Sequence, residues 1–114
     1  MIFDIKHAPT SLSERTRVRI AIFLACHAHR TLPLDGLRKW GRAAGMNGAE
    51  MTANEQGTSH EAKATACLQF VKSVVDHPMD PAQHDLQAMY AVGYTLGDIS
   101  EVMALIAAHG VVQP

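Results

Sequence analysis

A chain of 114 residues, 47% apolar, 18% charged and with a net charge of -1, is long enough to bury one core and too short for two. That composition excludes a disordered polymer, no apolar run approaches the roughly 18 residues of a membrane span, and Met1 to Pro9 lacks the charged start and apolar stretch of a secretory leader. Two cysteines, Cys26 and Cys67, make neither a disulfide framework nor a CxxC pair. The expectation is a single cytoplasmic domain over residues 1–114 with no membrane association.

Residues 1–10 read as an N-terminal arm, with Ile2, Phe3 and Ile5 ahead of Pro9. Ser11-x-x-Glu14 has the form of a capping box, in which the serine accepts from the Glu14 backbone and the glutamate reaches back. From there to about His29 no Gly or Pro intervenes, and Ile20 to Cys26 is apolar all round, the mark of a helix enclosed by others. Pro33 fits the first turn of a second helix running to Ala44, which Gly45 stops. Asn47 can cap a short third helix over 48–56. After the loop at Gly57-Thr58-Ser59, a fourth helix from about His60 to Asp76 places Ala64, Cys67, Leu68, Val71 and Val74 or Val75 on one face. Asp80-Pro81 opens a fifth, with Leu86 and Met89 or Tyr90 inward, ending near Gly93. Thr95-x-x-Asp98 caps a sixth, whose apolar face is Leu96, Ile99, Val102, Met103, Leu105 and Ile106, and Gly110 ends it. No segment alternates as a strand does, so the fold class is all-α, a compact bundle of about six helices.

Charge is unevenly spread. Residues 1–42 hold eight of the ten Lys and Arg against three acids, whereas the other 72 residues hold two bases against eight acids. The bases are scattered over helical faces without interleaved aromatics, so no nucleic-acid partner is expected; complementary halves pairing within the fold or between subunits account for the balance. The glycine patterns of nucleotide or flavin sites are missing, and no cofactor is expected. Cys26, His27 and His29 are ligand types for zinc, but neighbouring helical positions point in different directions, so no metal site is expected either.

Proton-transfer groups and a candidate nucleophile come close together in sequence only in the run Cys26-His27-Ala28-His29, twelve positions after Glu14. An unperturbed thiol with a pKa of about 8.5 is mostly protonated at neutral pH, so a reactive Cys26 needs an imidazole such as His27 or His29, or Arg30, to hold it ionised. In one unbroken helix Glu14 and Cys26 are about 18 Å apart. Cys67, a second subunit's Cys26 or a small external thiol would have to resolve the oxidised sulfur.

Two further segments carry a family resemblance. Residues 41–51, Gly-Arg-Ala-Ala-Gly-Met-Asn-Gly-Ala-Glu-Met, resemble the helix end, turn and short helix of the alkylhydroperoxidase AhpD-like and carboxymuconolactone decarboxylase family. Met89 to Met103, with Ala-Val-Gly-Tyr-Thr-Leu-Gly-Asp-Ile-Ser-Glu-Val inside it, is similar to another element of that family, and the likeness covers about residues 11–108. The resemblance implies a homo-oligomer and a thiol-dependent hydroperoxide reductase working with a thiol reductant through CxxC, a preceding Glu and a following His. Counting forward from Glu14 puts Cys26 at the first cysteine, His29 at the second and Pro33 at the histidine. Counting back from Ala44-Gly45 puts Arg30 and Pro33 at the cysteines and Leu37 at the histidine, about one helical turn away. The catalytic candidates are therefore Cys26 as nucleophile, His29 as proton relay or thiolate stabiliser, and Glu14 as distant proton donor. Two alternatives share the scaffold: a non-catalytic helical interaction module, and a carboxymuconolactone-type lactone decarboxylase.

Overall fold

Six helices make up the computed structural model, which describes residues 12–27 and 33–109: α1 (Glu14–His27), α2 (Leu34–Ala43), α3 (Gly48–Glu55), α4 (Ala62–Asp76), α5 (Gln83–Ala91) and α6 (Leu96–Ala108). The described residues contain no strand, in agreement with the all-α expectation. The arm at 1–10, Ser11, His29 and Gly110 lie outside the described residues.

α1 is the central element, packed against α2, α3, α4 and α6. Its sequence explains why both sides are apolar. Ile20, Phe23 and Leu24 join Cys67, Leu68, Val71, Met89, Val102 and Ile106 in the larger core, built mainly from α4, α5 and α6. Val18 and Ile22, on the other side, join Met46 and Met51 in a smaller core that Leu34, Leu37 and Trp40 cover. Ile20, Ile22, Leu24, Val71 and Val102 are fully buried, and each buried aliphatic side chain contributes about 1.5–3 kcal/mol.

The turns follow the chemistry read from the chain. Asn47 accepts from the Glu50 backbone N–H at 2.8 Å. Thr95 and Asp98 form a reciprocal capping box with bonds of 3.1 and 2.9 Å. Gly45 turns the chain out of α2 at φ +96°, a left-handed conformation that costs a side-chain-bearing residue about 1–2 kcal/mol. At the start of α1 the Thr16 N–H donates to Ser13 Oγ at 3.1 Å, so Ser13 caps from directly before Glu14.

Some boundaries and faces differ from the sequence expectation. α5 starts at Gln83, later than the Asp80-Pro81 signal, and the N–H of its N-cap Ala82 donates to the Ser73 hydroxyl on α4. α4 starts at Ala62, and ahead of it the backbone N–H groups of Ser59 and His60 donate to Thr65 and Glu50. On α6 only part of the expected apolar face is inward: Ile99, Val102 and Ile106 are buried, while Leu96 is 68% and Met103 38% exposed. α5 turns Met89 inward and leaves Tyr90 exposed.

Candidate functional site

The densest polar chemistry lies around the first half of α1. Arg19 stands between Val18 and Ile20 on an apolar helix and is 4% exposed, a position that demands a partner. Its Nε donates to Glu50 Oε2 on α3 at 2.8 Å. Glu50 also accepts from Asn54 Nδ2 at 3.0 Å, from the Ser59 hydroxyl, and through Oε1 from the His60 N–H at 2.8 Å. Burial alone would raise the Glu50 pKa; the His60 backbone N–H, Ser59, Asn54 and Arg19 together reverse this and bring it down to about 2. The network fastens α3 and the loop before α4 onto α1.

Above it opens a cleft of about 520 Å³, lined by Ser13, Glu14, Arg15, Thr16, Arg19, Ala44, Glu61, Lys63, Ala64 and Tyr94. Arg15, Arg19 and Glu61 also line a smaller recess of about 170 Å³ beside Asn47 and His60. Glu61 reaches Arg19 Nη2 at 3.4 Å from the rim. Arg15 Nε donates to the Ala44 carbonyl at 2.8 Å, and Lys63 Nζ sits 4.8 Å over the Tyr94 ring. Ser13 Oγ and Thr16 Oγ1 are 3.1 Å apart, and the Tyr94 hydroxyl donates to the Lys63 carbonyl at 3.4 Å. Burial raises the Tyr94 pKa and pushes that of Cys67, 1% exposed, up to about 12. Both groups stay protonated across the physiological range.

The sequence candidates are not gathered in this cleft. Glu14 lines it, but its carboxylate accepts from Trp40 Nε1 on α2. Cys26 is half-buried at the far end of α1, lines neither recess, and has its pKa raised by burial and by the nearby Glu55 carboxylate, against a smaller opposing effect of Arg38. α1 is unbroken from Glu14 to His27, so Glu14 and Cys26 remain about 18 Å apart along its axis. The His27 imidazole is stacked on Phe23 at 4.8 Å and bonded through Nε2 to Asp76 Oδ1 at 2.9 Å. Asp76, lowered in pKa first by Lys72 and then by His27, thereby ties the ends of α1 and α4. Leu37, which one register of the resemblance aligns with the family's histidine, packs on the smaller core. Among the described residues no cluster of His, Cys, Asp and Glu has the arrangement of a metal site, and no helix is long and apolar enough to cross a membrane.

Arg19, Glu50, Lys63 and Tyr94 were not singled out from the sequence. Arg19 had a usable signal, a cation between Val18 and Ile20 at the edge of the apolar run; Tyr94 and Lys63, 31 residues apart, meet only through the fold. Comparison with protein families, with curated proteins and with solved structures gave no match.

Proposed function

We propose that this chain is a degenerate AhpD-like helical protein, which keeps the scaffold suggested by the segments at 41–51 and 89–103 but works as a non-catalytic, self-associating interaction module. The observation that carries the reading is the state of the thiols. Cys26 is held toward its protonated form, the adjacent His27 is committed to Phe23 and Asp76, and Cys67 is sealed under Tyr94 with a pKa of about 12. Self-association is expected to cover Leu96, Met103 and Tyr90, which stand exposed on α6 and α5.

A second reading, a thiol-dependent hydroperoxide reductase with Cys26 as nucleophile, His29 as relay and Glu14 as donor, is favoured by one fact: Cys26 is only half-buried and has Arg38 near enough to lower its pKa. Hydroperoxide consumption with a dithiol reductant separates the two. The module predicts that the native chain and Cys26→Ala consume peroxide at the same background rate. It also predicts slow Cys26 alkylation at pH 7, rising toward pH 9 and above. A rate that depends on Cys26, with fast alkylation at pH 7, would replace the module by the reductase.

A further inference from the structure

The geometry points to the 520 Å³ cleft as a binding site for a small carboxylate ligand with a short apolar body, its charge taken by Arg19, Arg15 and Lys63. This goes beyond the interaction module and stands whether or not Cys26 reacts.

The volume lies within the range of about 300–1,000 Å³ that small-ligand sites occupy. The guanidinium of Arg19 is fixed from behind, its Nε engaged by buried Glu50, and it lines the cleft with Nη2 in reach of Glu61 at 3.4 Å. Glu61 is 57% exposed in its side chain, so an acid seated on that edge is already represented by a displaceable carboxylate of the protein itself. Arg15 spends its Nε on a carbonyl, and Lys63 lies over an aromatic ring. Among the described residues neither has a carboxylate at ion-pair distance. Two cations without acid partners among the described residues, beside a fixed guanidinium, suit an anion. Glu14 and Glu61 at the rim oppose a dianion, which favours a monocarboxylate over a phosphate ester. Ala44, Ala64 and the Tyr94 ring offer the apolar contact for its body.

The test is a titration of the full chain with hexanoate and benzoate, followed by amide chemical shifts, alongside hexanamide, benzamide and inorganic phosphate. The site predicts shifts centred on Ala44, Ala64 and Tyr94, with the amides bound at least about tenfold more weakly, the cost of one charge-assisted hydrogen bond. Arg15→Gln and Lys63→Gln should each weaken the acids about threefold or more, while Glu61→Gln, which removes the competing carboxylate, should tighten them. All three positions are exposed, so the variants are expected to keep the melting temperature of the parent. Equal binding of acids and amides, binding of phosphate alone, absence of shifts at these residues, or weaker binding by Glu61→Gln would each overturn the proposal.

Discussion

The two halves of α1 carry polar groups of similar promise in the sequence and opposite weight in the structure. In the first half, Arg19 enters the interior and organises Glu50, Asn54, Ser59 and His60 around one carboxylate. In the second, Cys26 and His27 sit half-exposed; one is held protonated, and the other closes an ion pair at the edge of the fold. A residue's chemistry is set by what the neighbouring helices bring to it. α3 brings Arg19 the acceptor Glu50, itself held by donors from Asn54, Ser59 and His60, while it brings Glu55, a carboxylate that discourages a thiolate, toward Cys26.

The largest effect should come from breaking the first half. Arg19→Met leaves Glu50 buried with only the exposed His60 imidazole, 3.7 Å away, as a basic neighbour and is expected to cost about 3–5 kcal/mol in urea unfolding. A loss below about 1 kcal/mol would show the network to be incidental.

Acid comes next. Glu50 has a folded pKa of about 2 against an ordinary value of 4.5. A depressed carboxylate stabilises the folded state fully above the unfolded value, and this contribution disappears as pH falls from 4.5 through 2. About 3 kcal/mol should be lost over that window. Glu50→Gln should flatten the acid limb of the stability profile; an unchanged slope would place the acid sensitivity elsewhere.

The smallest effect belongs to the second half. The His27–Asp76 pair is about one-third exposed on both sides, so His27→Gln is expected to cost no more than about 1 kcal/mol by the same unfolding measurement. A cost equal to that of Arg19→Met would erase the contrast between the two halves.

Much of the fold was legible along the chain because its signals are local. The Asn47 and Thr95 caps, the stop at Gly45 and the apolar face of α4 each depend on residues within a turn or two of one another. The starts of α4 and α5 were less legible, since the N–H groups just ahead of them are satisfied by Glu50 and Ser73 from other helices, partners that no local cap signal announces. Leu96 and Met103 fit an apolar stripe by spacing, yet spacing does not say how wide a face the neighbours cover.

Sequence by itself determined that this protein is helical, where most turns fall, and that α1 is enclosed, because helix propensity, capping and periodicity act over a few residues. Tertiary structure alone decided that Arg19 meets Glu50, that Tyr94 seals Cys67, and that Arg15, Lys63 and Glu61 face one cleft. Those meetings bring together distant parts of the chain, Arg19 and Glu50 31 positions apart, and the charge state and accessibility of each group follow from the low-dielectric surroundings and hydrogen-bond partners that folding supplies.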